Sequence, residues 1–207
     1  MAAPGRLITI EGIDGSGKTT LAQALAGVLA DRRIDVMLLR EPGGVAVSER
    51  IRTLVQDPAL AVAPRTEALL YAAARAQLVA EALAPALSAG TWVLLDRFVD
   101  SSLAYQGGGR ELGIDAIRAL NAFATGGLTP DRTLLLELDG AAARARAEAR
   151  PGAADRLELE DEAFFERIRS AYARIAAGEP GRIRVLDAGQ PPAQVLRDAL
   201  AALDGLI

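Results

Sequence analysis

The 207 residues are 51% hydrophobic and carry a formal net charge of −4. That is enough apolar material for one core, without the basic excess of a protein that grips a nucleic-acid backbone. No apolar run reaches the ~18 residues of a membrane helix, and no apolar signal core precedes the first apolar run, so neither a membrane nor export is expected and the cytoplasm is the expected location. Cysteine and histidine are both absent, which excludes disulfides, thiolate chemistry, imidazole acid–base catalysis and histidine metal ligands.

Leu7-Ile8-Thr9-Ile10 is an apolar run that predicts a buried first strand. Gly12-Ile13-Asp14-Gly15-Ser16-Gly17-Lys18-Thr19 follows and matches G-x-x-x-x-G-K-[ST] without a mismatch. After it, Leu21, Leu25, Val28 and Leu29 recur at helical spacing. Strand, glycine-rich turn and helix are the context a phosphate-binding loop needs: the backbone N–H groups form an anion nest at the positive end of a helix. Lys18 is the only lysine among 23 basic residues. A compact ammonium fits a tight loop where the planar fork of arginine does not. Its charge suits the outer phosphates, and the Thr19 hydroxyl suits Mg2+.

Val36-Met37-Leu38-Leu39 predicts a second strand, stopped by Arg40-Glu41-Pro42-Gly43-Gly44. A polar-faced helix is expected from Val47 to about Gln56, and a long Ala/Leu-rich helix from Thr66 to about Leu87. On the long helix Tyr71 and Arg75 stand four apart on one face. That spacing suits a half-buried ring beside a solvated charge as well as it suits a binding pair. Thr91 to Leu95 is apolar throughout and ends on Asp96. Such a run predicts a central parallel strand. It delivers the carboxylate to the strand ends where α/β sheets bind ligands, as a second acidic element beside Mg2+.

Gly107-Gly108-Gly109 after Tyr105-Gln106 predicts a mobile or tightly turned segment. A helix over Ile114–Ala124 and a fourth strand over Thr133–Asp139 come next. Residues 141–150 hold Arg144, Arg146 and Arg150 in a short Ala-rich helix, expected as a small cap over the site. A helix from Glu162 to about Ala177, a fifth strand at Ile183–Leu186 and a closing helix over residues 193–204 complete the chain. Alternating strands and helices, with no linker and no repeat, predict one α/β unit over 1–207 with a five-stranded parallel sheet and right-handed crossovers. The sole lysine being at position 18 excludes the Asn-Lys-x-Asp motif of a GTPase. What remains favours phosphoryl transfer between two anionic substrates, which needs positioning and charge neutralisation more than covalent help.

Five blocks carry a resemblance to bacterial-type thymidylate kinases, from about residue 6 to the closing helix: Ile10-Glu11-Gly12 through Thr19-Thr20; Arg40 through Gly44; Tyr71 with Arg75 and Gln77; Asp96-Arg97 through Tyr105-Gln106-Gly107-Gly108-Gly109-Arg110; and Asp155-Arg156-Leu157-Glu158. The resemblance implies a P-loop NTPase three-layer sandwich of strand order 2-3-1-4-5 with an Arg-rich lid at about 141–156. It implies transfer of phosphoryl from ATP, with Mg2+, to dTMP, no nucleic-acid polymer as partner, and a homodimer. Gly12 to Thr20 would hold ATP, with Thr19 and Asp96 at the metal. Asp14, Arg40, Pro42, Arg52, Tyr71, Arg75, Arg97, Ser102, Tyr105, Gln106 and Glu158 would meet dTMP. In that set Tyr71 would stack on thymine, Arg75, Ser102 and Gln106 would read the base, Tyr105 would face the sugar 2′ position, and Arg97 would bridge toward the monophosphate. Lys18, Arg97, Asp14 and the lid arginines Arg144, Arg146 and Arg150 would serve catalysis, with the choice among the three left open by an irregular lid spacing. Val45 replaces the Thr that usually follows Gly-Gly in the family. Glu41 leaves a deoxynucleoside kinase of the same fold open, and an inactive nucleotide-binding module is the reading from another class.

Overall fold

The computed structural model describes residues 5–149 and 155–207. Five strands, β1 (Leu7–Glu11), β2 (Val36–Arg40), β3 (Trp92–Asp96), β4 (Arg132–Glu137) and β5 (Ile183–Asp187), form one parallel sheet in the order β2-β3-β1-β4-β5. Every residue of β1 is buried. It is central because both flanking strands, β3 and β4, arrive by crossovers that cover the sheet with helices on its two faces. β2, at the edge, leaves Met37 and Leu38 partly exposed, although its sequence is as apolar as that of the interior strands.

Helix α1 (Lys18–Asp31) buries Leu21, Ala22, Leu25 and Leu29 against the sheet. Each such leucine contributes about 1.5–3 kcal/mol. α2 (Ala46–Gln56) follows β2, and α3 (Pro64–Leu78) begins with proline at its first position, where a missing N–H costs nothing. The chain stays helical through a π turn at Val79–Leu83 into α4 (Ala84–Ser88), as the long Ala/Leu pattern predicts. α6 (Ile114–Thr125) packs on α3. α7 (Gly140–Glu148), capped by the Asp139 carboxylate, lies over the glycine-rich loop. α8 (Glu162–Gly178) and α9 (Pro192–Ala202) close the fold. Among the described residues no helix is long and apolar enough to cross a membrane.

One expectation is overturned. The three glycines after Gln106 do not make a mobile or tightly turned segment; α5 (Val99–Ser102) runs directly into a π-helical stretch, Leu103–Gly109, most of which is buried. The glycines there serve packing. A Cβ on Gly108 would come within 2.5 Å of the Ala171 Cβ, and one on Gly109 within 2.7 Å of the Phe164 ring, so only hydrogen at these positions lets α8 lie flat on the π turn. Counting glycines in sequence cannot separate this use from that of a loop.

Candidate active site

The C-terminal ends of the strands open into one cavity of about 1400 Å³. That is where open α/β sheets bind ligands. Of the residues assigned above to ATP, dTMP, the metal or catalysis, all that are described line it except Gly12, whose carbonyl lies just behind and accepts a hydrogen bond from Arg97 Nη1 at 2.9 Å. Arg150 lies outside the described residues, as does the Pro151–Ala154 part of the lid.

At one end stands the glycine-rich loop. Gly12, Gly15 and Gly17 take φ of 137°, 80° and 94°, the left-handed range that lets the loop curl around an anion. Gly15 is also fixed by contact, because a Cβ there would meet the Ala143 carbonyl of α7 at 2.2 Å. Gly17 caps α1 without a side-chain hydrogen bond. The Ser16 hydroxyl is buried with no partner among the described residues, which suits a donor waiting for an anion. Lys18, 7% exposed, donates from Nζ to the Ile13 carbonyl at 2.9 Å. Burial foremost, then the nearby Arg97 charge, push its pKa down to about 8 against the pull of Asp14, Asp96 and Glu11.

Arg97 has a φ of 70°, a costly conformation for a residue with a Cβ. It turns the guanidinium back across the loop, where Nη2 donates to Asp14 Oδ1 at 2.8 Å and to the Tyr105 hydroxyl at 3.2 Å. The Tyr105 hydroxyl in turn reaches Asp14 Oδ2 at 3.3 Å. Burial opposes the charge on Arg97, yet Asp14 and the neighbouring phenols leave its pKa raised, so this cation is permanent. Thr19 Oγ1 donates to Asp96 Oδ2 at 2.9 Å, joining α1 to the end of β3.

Toward the other end, Tyr71 and Arg75 do share a face of α3, and Arg75 is no solvated charge. It is 1% exposed, and its guanidinium donates to Glu41 Oε2 at 2.8 Å, to Ser102 Oγ at 2.9 Å, to the Phe98 carbonyl at 2.9 Å and to Asn121. Glu41, considered above as a base for a neutral acceptor, has Oε2 in this ion pair; its other oxygen is buried with no hydrogen-bond partner among the described residues. Burial, partly offset by Arg75, pushes the Glu41 carboxyl up to about 7. Arg52 Nη1 donates to the Pro42 carbonyl at 2.9 Å, and Arg40 pairs with Glu49. Gln106 donates to Glu67 at 2.9 Å, and Glu158 accepts from the Asp155 amide at 3.1 Å. On the lid side Arg144 pairs with Glu162, and Arg146 Nη1 donates to the Ala188 carbonyl at 3.0 Å.

Sequence reasoning missed several residues here. Glu11, at the end of β1, is fully buried and accepts from the Phe98 amide at 2.8 Å, Ser101 Oγ at 2.5 Å and the Tyr172 hydroxyl at 3.1 Å. Its signal was available: like Asp96 it is a carboxylate ending an apolar strand. Arg169, which lines the cavity from α8 and pairs with Glu162 and Glu166, had no signal beyond a helical charge.

A model of the thymidylate kinase family matches residues 10–199. The chain is 49% identical over 206 residues to the thymidylate kinase of Rhizorhabdus wittichii, covering 99% of each chain. It is 48% identical over 195 residues to that of Lactobacillus delbrueckii subsp. bulgaricus, covering 93% of this chain and 92% of the relative. The crystal structure of thymidylate kinase from Ehrlichia chaffeensis superposes with a TM-score of 0.80 at 30% identity, over 98% of this chain and 100% of that one. With its strand order, phosphate loop and cavity joined to a match over nearly its whole length, this chain belongs to the thymidylate kinase family.

Proposed function

We infer that the chain transfers the terminal phosphoryl group of ATP to dTMP, giving ADP and dTDP. The observation that carries this is a single cavity with a phosphate loop at one end and, toward the other, Tyr71, Arg75 and Gln106, a ring and two polar groups suited to a base. Lys18 and the loop amides hold the donor phosphates. Arg97, braced by Asp14, faces the acceptor phosphate and draws its oxygen into line with the γ-phosphorus. That oxygen attacks as the bond from phosphorus to the β–γ bridging oxygen breaks, and the leaving oxygen carries its negative charge away on ADP. Tyr71 offers its face to thymine, with Arg75, Ser102 and Gln106 at the base edge. Tyr105 is set toward the sugar, and Arg40, Pro42, Arg52 and Glu158 line the acceptor end. Arg144 and Arg146 bring positive charge from the lid side, and a lid that excludes water suppresses loss of the phosphoryl to hydrolysis.

The oxygens of Thr19 and Asp96, 2.9 Å apart, are hard donors of the kind Mg2+ takes. Among the described residues no cluster of three or more acidic side chains gathers as a cage. An ion there would be held by one or two protein oxygens together with nucleotide phosphates and water. Bound with ATP, Mg2+ supplies neutralisation of the phosphate charge.

The chain acts as one catalytic unit, and we assign it a homodimeric state. Val47 and Leu54 on α2, Leu69 on α3 and Phe123 on α6 are 47%, 47%, 58% and 88% exposed, and α3 packs against both other helices. Light scattering on a column should give twice the chain mass, and Phe123→Asp should halve it; a monomeric wild type would reject the dimer. A cytoplasmic location goes with the reading.

Coupled ADP release, with ATP and Mg2+ against dTMP, dUMP, UMP, CMP, AMP and thymidine, tests the function. Turnover with dTMP above every other acceptor is expected. Turnover of thymidine without dTMP would transfer the chain to the deoxynucleoside kinases, and silence across the panel with ATP bound would make it a binding module.

A further inference from the structure

Glu67, on α3, has no exposed surface, and three side chains from two separate parts of the chain, the π turn and the Arg156 loop, converge on its carboxylate. Gln106 Nε2 donates to Oε1 at 2.9 Å. Arg110 Nη2 and Arg156 Nη2 donate to Oε2 at 3.0 Å and 2.8 Å. Arg110 Nε adds a longer contact to each oxygen, 3.3 Å and 3.2 Å.

An ionised carboxylate accepts hydrogen bonds and cannot donate them. The Gln106 side chain therefore has one orientation: its nitrogen turns to Glu67, and its carbonyl oxygen is left on the cavity side with no hydrogen bond among the described residues. The Arg75 N–H groups are taken by Glu41, Ser102, Phe98 and Asn121, and the Ser102 hydroxyl, which accepts from Arg75 Nη1 at 2.9 Å, keeps its own O–H to donate into the same cavity. An acceptor and a donor on one wall complement the thymine edge, where N3–H donates and O4 accepts. Cytosine carries a lone pair at N3, which would face the Gln106 oxygen and leave two acceptors opposed and unpaired in a buried site.

We propose that Glu67, which does not touch the substrate, is a positioning residue for base selection: it locks the Gln106 amide so that the cavity accepts a pyrimidine carrying N3–H and rejects one carrying an N3 lone pair. This rests on the assignment of the base to the Arg75 and Gln106 end of the cavity.

Glu67→Gln discriminates a lock from simple support. The new amide has a single oxygen, and the position of Oε2, where Arg110 and Arg156 converge, draws it there. Its NH2 group then occupies the Oε1 position and faces Gln106. Gln106 must turn its carbonyl inward and present NH2 to the cavity. The ratio of kcat/KM for dTMP to that for dCMP should fall by ~10-fold or more, with the dCMP value itself rising. A variant that folds, loses activity on both nucleotides alike and keeps the wild-type ratio would overturn the proposal and leave Glu67 a structural anchor.

The exchange Glu67→Gln/Gln106→Glu keeps the buried charge count and stays informative if the single variant fails to fold. In it the amide introduced on α3 donates to the carboxylate introduced on the π turn, whose second oxygen still accepts from N3–H. The preference for dTMP should return to within a few-fold of wild type, and a preference that stays lost would overturn the proposal. A wild type that ignores dTMP would instead sink the functional reading, and this inference with it.

Discussion

Arg75 and Glu41 meet beneath the cavity, Nη2 to Oε2 at 2.5 Å, with 1% and 4% of their side chains exposed. The pair ties α3 to the chain just after β2. Removing one partner strands the other charge in a dry site, so Glu41→Ala should cost about 3–5 kcal/mol of folding stability, and Glu41→Gln less. Denaturant unfolding of the two variants measures this; equal and small losses would show that the pair is not sealed.

The same carboxyl gives a pH signature. Burial raises Glu41 from 4.5 to about 7. A group whose pKa is raised on folding contributes stability that is whole below its unfolded pKa and lost as pH rises through the folded one. Wild type should therefore lose stability relative to Glu41→Gln across the window from about pH 4.5 to about pH 7. Melting temperatures of both proteins across that window decide it, and a constant gap counts against the shift.

Lys18 titrates on the other side of neutrality. With its pKa pushed down to about 8 in the free protein, it begins to lose the charge that would hold phosphates as pH climbs past that value. The profile of kcat/KM for ATP should break downward near pH 8. Polyphosphate would restore the ammonium, so ATP binding at that pH should take up protons. Calorimetry in two buffers of different ionisation enthalpy reads the uptake directly, and heats that do not depend on buffer would refute it.

Asp96 and Thr19 carry the metal assignment. Asp96→Asn keeps the shape but removes the charge, and should raise the Mg2+ needed for half-maximal activity by ~10-fold or more. The melting temperature without nucleotide reports any structural contribution separately. An unchanged Mg2+ titration would remove Asp96 from the site.

Gly108 reports the contact between the π turn and α8. Gly108→Ala places a methyl group 2.5 Å from the Ala171 Cβ, and should cost about 1–3 kcal/mol. Gly178→Ala, where a Cβ would meet nothing within 4 Å, should stay within about 1 kcal/mol of wild type. Equal effects at the two positions would mean that helix propensity and not packing governs Gly108.

Much of the fold was legible in the sequence because its signals are local. Apolar runs of strand length, a 3.6-residue rhythm in α1 and an uninterrupted loop motif each declare themselves within a few turns of chain. Asp96 was legible too, because a strand that is apolar to its last residue fixes where the next side chain emerges. So were Tyr71 and Arg75 as neighbours on one face. Their burial was not. Arg75 is held by groups 23 to 46 positions away, and the donors on Glu67 lie 39, 43 and 89 positions off. No periodicity records which distant donors a carboxylate will meet; only the packing of α3 against the π turn and the Arg156 loop decides that. The glycines after Gln106 make the same point. Their number is in the sequence, but whether hydrogen there frees a loop or lets two helices touch depends on α8, whose Arg167 reaches the Gly109 carbonyl from 58 positions further along the chain.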